Sequence, residues 1–414
     1  MNKVDKLFLE AFGASLENRK VDWEFEMTPD EWTRLFEVSE IHKVFPMIYE
    51  AVFSCPAAVS MNRDMMAFCK RKMMKKVMLQ IRMTEEFMNL YRYLRAKGIH
   101  PLIMKGITCR QLYPNPDYRS SSDEDMLIKP REFKEAHKAM LEYGMEVEGG
   151  DCDYKAQYEI TYVKKDAPLC IELHKSLFPP ESEAYGELNE YFKDVHAKAV
   201  SINVQGMDIL MMEYTENLFY LICHAFKHFL HSGFGIRQVS DMIMFANAYG
   251  RYIDWDAVLK NCKEIHADKF AAAIFKIGEK YLGFSVEESC YGDCWKAIQI
   301  DEKALLHDLL AGGIYGDSDM SRKHSSSLTL NAVQARKHGE KVKTNVWKAV
   351  FPDRNSMTVK YPYLEKYPIL LPVAYGARIV KYGMESKNMQ GNKASESIKI
   401  GNQRIELLKK YDII

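Results

Sequence analysis

Apolar positions recur at helical spacing through the first part of the chain, from residue 3 to about 95. Thr28-Pro29-Asp30-Glu31 reads as a capping box with proline at the first helical position. Behind it, Trp32, Leu35, Phe36, Val38 and Ser39 form one buried stripe. A long helix is predicted from about 61 to 97, carrying Met65, Phe68, Met73, Val77, Ile81, Phe87, Leu90 and Leu94 and closed by Lys97-Gly98. The period then changes. Residues 99–104 read as a strand, Gly106 opens a short helix that Pro114 ends, and 124–129 read as a second strand. A helix over 130–142 stops at Tyr143-Gly144. Strands near 158–163 and 168–174 flank the turn-forming Lys164-Lys165-Asp166. This alternation predicts an α/β unit around a small mixed sheet.

Beyond Gly206 the pattern returns to helices, at 208–231, at 236–249 and, capped by Asp254-Trp255-Asp256, through about 264. Residues 285–345 are polar and in places rich in glycine and serine, and Ser318–Lys343 reads as mobile. Tyr361-Pro362, Tyr367-Pro368 and Leu371-Pro372 precede a helix near 373–385, and 386–398 read as a flexible link to a short terminal helix. The class is therefore α+β. A small mixed-sheet core over 84–205 follows an N-terminal helical region, 1–83. A helical bundle over 206–285 lines a cleft, and 286–414 form a C-terminal extension.

Composition narrows the function classes only a little. Lys+Arg and Asp+Glu both number 57, which removes global charge as an argument for a nucleic-acid or membrane partner. The cluster Lys70-Arg71-Lys72 with Lys75-Lys76 reads as a solvated helix face, although such a cluster can also touch RNA phosphates. Nine cysteines without a CxxC pair suggest reduced thiols. The N-terminus reads as an amphipathic helix start, and no apolar run approaches the roughly 20 residues of a membrane span. The expectation is a cytoplasmic protein with no membrane or DNA partner.

Chemistry concentrates between 105 and 174. Asp123 and Asp125, spaced i, i+2 at the start of an apolar strand, project from one face and call for a shared cation. Oxygen clusters of this kind suit hard divalent ions, above all Mg²⁺. Glu172, within Leu169-Cys170-Ile171-Glu172-Leu173-His174, is the third acid if its strand pairs with the one bearing the aspartates. Lys105, Gly106, Thr108, Arg119 and Ser122 are the complementary anion-handling candidates, since a glycine followed by helical amides lets backbone approach a phosphate. His174 is a candidate neighbour of the metal site. His224, His228 and His231 share one helix face at a spacing that zinc could use, but packing beside a cleft is the simpler reading. Arg237 and Asp241, spaced i, i+4, read as an intrahelical ion pair that could also anchor the helices to the sheet.

The order Lys-Gly, Leu-Tyr-Pro, Arg, Asp-x-Asp and Glu-Leu-His resembles the uncharacterised bacterial nucleotidyltransferase family, within the DNA polymerase beta-like superfamily. Cys223-His224-Ala225-Phe226-Lys227-His228, Arg237, Asp241 and Asp254-Trp255 are similar to that family's helical segment, so the likeness covers about 25–285. It implies two Mg²⁺ ions (Mn²⁺ being able to substitute), a nucleoside triphosphate donor with ATP as the default, and pyrophosphate release. By motif, Asp123, Asp125 and Glu172 would be metal ligands and Lys105 a phosphate contact. Lys105-Gly106-Ile107-Thr108 departs from the superfamily's glycine-serine, and Glu124 stands where an apolar residue is usual. The acceptor stays open among a small molecule, a sugar, a protein and RNA. A degenerate nucleotide-binding regulatory module and a toxin-like enzyme modifying RNA or protein are the rival readings.

Overall fold

Four helices built on the predicted apolar stripes open the chain: α1 (Lys3–Leu16), α2 (Pro29–Ile41), α3 (Phe45–Val52) and α4 (Arg63–Ala96). The capping box forms as expected. Thr28 Oγ1 accepts from the Glu31 amide at 3.2 Å and Glu31 Oε2 accepts from the Thr28 amide at 2.9 Å. The computed structural model describes residues 1–150, 153–154, 157–231, 233–313, 320–337, 339, 354, 357–358, 361, 363–387 and 394–414.

The α+β class holds. A mixed five-stranded sheet has the order β1-β2-β5-β4-β3, from β1 (Leu102–Ile103), β2 (Glu124–Leu127), β3 (Glu146–Val147), β4 (Glu159–Val163) and β5 (Cys170–His174). Only the β2–β5 pair is parallel; β1–β2, β4–β5 and β3–β4 are antiparallel. A short helix α5 (Ile107–Arg110) follows β1, and α6 (Phe133–Glu142) follows β2. Alternation sends Ile160, Tyr162, Ile171 and Leu173 to the buried face. There Tyr162 meets His137 of α6 through a hydroxyl–Nδ1 hydrogen bond of 2.6 Å.

Several expectations are corrected. The strand read over 99–104 is only Leu102–Ile103. Residues 208–211 are not helical: β6 (Val200–Val204) and β7 (Met207–Met211) form a hairpin around Gln205 and Gly206, with φ of 49° and 82°. Two left-handed residues make the tight turn whose twist suits paired strands. Helix α7 therefore starts at Tyr214 and runs to His231, followed by α8 (Ile236–Tyr249), α9 (Trp255–Glu264) and α10 (Asp268–Tyr281). Much of the stretch read as mobile is the helix Met320–Lys337, whose Leu328 and Ala332 pack with Ile405; Ser318 and Lys343 lie outside the described residues. The terminal helix is not short, running over Ala394–Lys410; of the link read over 386–398, residues 388–393 lie outside the described residues and the rest belongs to the helices Leu371–Lys387 and Ala394–Lys410.

Two limits drawn from the sequence fall inside continuous elements. Helix α4 crosses 83/84 unbroken, and 205/206 is the turn of the β6–β7 hairpin. No helix among the described residues is long and apolar enough to cross a membrane.

Candidate active site

Strand pairing assembles the acids. Parallel register sets Asp125 directly opposite Glu172, so the two side chains leave the sheet on the same face. Period-2 alternation adds Asp123 from the approach to β2, Cys170 and His174 from β5, and Glu159 and Thr161 from β4, where Glu159 lies opposite His174. These residues line one cavity of about 440 Å³ together with Lys105, Ser122 and Glu148. Helix α7 closes the opposite wall with Tyr220, His224, Lys227 and His228, one helical face.

The electrostatics are tightly balanced. Lys105 Nζ stands 3.2 Å from Asp125 Oδ1 and 3.1 Å from His224 Nε2. His174 Nε2 lies 3.4 Å from Asp125 Oδ1 and 3.6 Å from Glu172 Oε2, and its Nδ1 is 3.4 Å from Glu159 Oε2. Burial raises the Asp125 carboxyl, but Lys105 and His174 more than offset it and hold the group well below the usual carboxylate range. Glu172 goes the other way. His174 pulls it down, yet burial and the charge of Asp125 leave it raised. Burial lowers the His174 imidazole, but Asp125, Glu172 and Glu159 carry it up to about 9. His224 and His228 are held well below 6.5, by burial and then by nearby lysines, so both are neutral rings.

Asp125, Glu172 and His174 offer ligand atoms within 4.8 Å of one another, a group that could hold a metal ion. The fit is supported by orphaned polar atoms. Asp125 Oδ2 and both ring nitrogens of His174 are buried without a hydrogen-bond partner among the described residues. A cation would satisfy Asp125 Oδ2 and the His174 nitrogen on the Asp125 side, leaving the other ring nitrogen to face Glu159. Imidazole beside two carboxylates departs from the all-oxygen set expected from the sequence and broadens the acceptable ions toward Mn²⁺.

The loop that delivers Asp123 is pinned from several sides. Arg119 directs Nε and Nη2 onto the two Asp241 oxygens at 2.6 Å each, and Tyr113 donates to Asp241 Oδ1 at 2.7 Å. Arg237 donates to the Ser120 carbonyl, and the Ser121 amide donates to Gln80 Oε1 of α4 at 2.8 Å. Ser122 Oγ donates to Asp123 Oδ1 at 2.8 Å and accepts from Lys43 at 3.3 Å.

Several candidates thus have other tasks. Arg119, 3% exposed, is outside the cavity and tied to Asp241, so Arg237 and Asp241 do not form an intrahelical ion pair: both bind the 119–120 segment and anchor α8 to it, and Arg237 acts on Asp241 only through its nearby charge. Gly106 has φ of 74°, and a Cβ there would lie 2.0 Å from Glu124 Oε2. That same Oε2 accepts from the Ile107 amide at 2.7 Å, while Glu124 Oε1 accepts from Arg110 at 2.8 Å. The backbone donor expected to meet a phosphate is therefore occupied by the protein's own carboxylate, and Thr108 is buried. Glu124 does point to the face opposite Asp125, and the fully buried Arg110 explains how a charge is tolerated there. His231 faces away, bonded to the Tyr185 hydroxyl at 2.7 Å, so α7 offers two histidines to the cavity and not three.

Sequence reasoning missed Glu148, Glu159, Tyr220 and Lys227. Glu159 had a signal, since alternation along 158–163 puts it with Thr161 on the face away from Ile160 and Tyr162. Lys227 stood inside the histidine segment, three residues from His224.

Residues 28–283 match the family described as uncharacterised nucleotidyltransferase. No curated protein and no solved structure matches the chain.

Proposed function

Since the chain belongs to this family of uncharacterised nucleotidyltransferases, we propose that it moves a nucleoside monophosphate from a nucleoside triphosphate, ATP by default, to an acceptor hydroxyl. The acceptor oxygen attacks the α-phosphorus, the bond to the bridging α,β-oxygen breaks, and pyrophosphate leaves. Glu172, raised above the ordinary glutamate range and lining the cavity, receives the acceptor's proton. Asp125, Glu172 and His174 would hold a divalent ion, Mg²⁺ or Mn²⁺, with Asp123 a further carboxylate on the same cavity wall, and the metal would supply charge neutralisation at the attacked phosphate and orientation of the leaving oxygen. Lys105 bridges Asp125 and the phosphates, fixing the carboxylate while offsetting negative charge.

One observation carries this reading: the parallel register that puts Asp125 beside Glu172 at the floor of a cavity large enough for a nucleotide. The test is incubation of the protein with Mg²⁺, each labelled triphosphate and a cell extract, following label transfer and pyrophosphate release. Asp125→Asn and Glu172→Gln should each lower transfer by about 100-fold or more, with far-UV circular dichroism unchanged. Wild-type transfer by both variants would refute the assignment.

A further inference from the structure

Two of the groups that the sequence pattern assigns to phosphate, and two further arginines nearby, are occupied inside the protein. The Ile107 amide serves Glu124 and Arg119 serves Asp241, while Arg110 also serves Glu124 and Arg237 serves the Ser120 carbonyl. Among the described residues that line the cavity, Lys227 on α7 is the lysine besides Lys105. Lys227 makes no ion pair or hydrogen bond among the described residues. It is half-buried, and burial pulls its pKa down while Glu159 across the cavity pulls it up. A partly desolvated ammonium facing a cavity gains from an anionic ligand that replaces the water it has lost. His224 and His228, neutral rings three residues before and one after, lie on the same wall, where His224 Nε2 meets Lys105 Nζ at 3.1 Å and His228 Nε2 at 3.3 Å, so they make a polar surface beside Lys227 that adds no charge.

We propose that Lys227, flanked by His224 and His228, is the receptor for the terminal phosphates of the triphosphate, so that the helical wall performs the anion binding that the loop at Gly106 has given up. The identity of the anion rests on the nucleotidyl-transfer reading; the existence of a polyphosphate site does not. The geometry is consistent with the division of labour. The acids would hold the α-phosphate end near the sheet through a divalent ion, Lys105 stands between the two walls, and Lys227 meets the tail on α7.

The test uses the full chain and inorganic tripolyphosphate with Mg²⁺, titrated calorimetrically. Lys227→Ala should weaken binding by about 10- to 100-fold, the usual contribution of a charge-assisted contact, and Lys227→Arg should restore most of it. Lys227→Met should be at least as heat-stable as wild type, which separates ligand binding from folding. With a nucleotide series, the preference for triphosphate over monophosphate should collapse in Lys227→Ala. Wild-type protein that ignores tripolyphosphate, or a Lys227→Ala variant that binds it within about twofold of wild type, overturns the proposal. If tripolyphosphate binding depends on Lys227 but no triphosphate is ever consumed, this site stands and the transfer reading falls. Transfer that proceeds with an unchanged KM in Lys227→Ala does the reverse, keeping the reaction and removing this site.

Discussion

Replacing Arg119 with Met asks whether this arginine serves a phosphate or the fold. In the structure Arg119 and Asp241 are 3% and 8% exposed and share two hydrogen bonds of 2.6 Å. Removing the guanidinium leaves the Asp241 carboxylate with the Tyr113 hydroxyl, a single donor. Breaking one side of a buried pair costs about 3–5 kcal/mol. The titration of Asp241 points the same way. Asp241 is now held below its ordinary pKa against burial, mainly by Arg119. Without that partner burial would push the carboxyl upward, with Arg237 and the Tyr113 hydroxyl left to oppose it. The double variant Arg119→Met with Asp241→Leu removes both charges and should recover most of the loss, because an apolar pair of similar volume carries no desolvation penalty. Urea unfolding followed by circular dichroism measures all three proteins, and calorimetry measures Mg²⁺–ATP binding to the folded single variant, which should match wild type. Wild-type stability in Arg119→Met would refute the structural role, as would a double variant no better than the single one. Stability kept while triphosphate affinity drops tenfold would return Arg119 to the phosphate.

Gly106→Ala should destabilise by about 2–4 kcal/mol, combining a left-handed backbone with overpacking against Glu124 Oε2 at 2.0 Å; chemical denaturation checks it, and an unchanged midpoint would mean the loop can shift freely. For His174, a folded pKa of about 9 against 6.5 when unfolded means its protonation adds stability fully present below about pH 6.5 and lost as pH rises through 9. Metal-free protein should therefore lose up to about 3 kcal/mol across that window. His174→Gln should flatten the profile; a variant with the same pH slope as wild type would assign the loss elsewhere.

Legibility from sequence followed the range of the interactions. The capping box at Thr28 and the stripe behind it are local patterns, and they appear as read. The strand bearing Asp125 and the one bearing Glu172 were visible from alternation, and their pairing needed only the assumption that two apolar strands of one small sheet are neighbours. The β6–β7 hairpin was also visible in principle, as alternating residues around Gln205-Gly206, but a strongly apolar helix next to it drew its last strand into the wrong period. Arg119 could not be placed from sequence at all. Its partner lies 122 residues away, and an arginine four residues before an aspartate looks equally apt for a phosphate. Arg237 and Asp241 invited the opposite error, because i, i+4 spacing suggests a local pair when both side chains reach across to another element.

These long-range commitments also explain why the reactive wall belongs to a helix that the sheet does not hold alone. The last carbonyls of α7 have no partners within the helix. Thr329 Oγ1 donates to the Leu230 carbonyl at 2.6 Å, and Arg404 donates to the carbonyls of Phe229 and His231. Both capping residues lie beyond residue 283, where the family match ends. At the sheet side, Lys105 reaches His224 directly, so the wall is fixed at one end by chemistry and at the other by the C-terminal helices. The cavity floor is set by strand register, which a few kcal/mol of distant strain would not alter. The position of Lys227 and His228 is different, since it depends on how α7 is seated between these two anchors. Loss of Thr329 or Arg404 would therefore shift the α7 wall, while the acids of β2 and β5 stay in register.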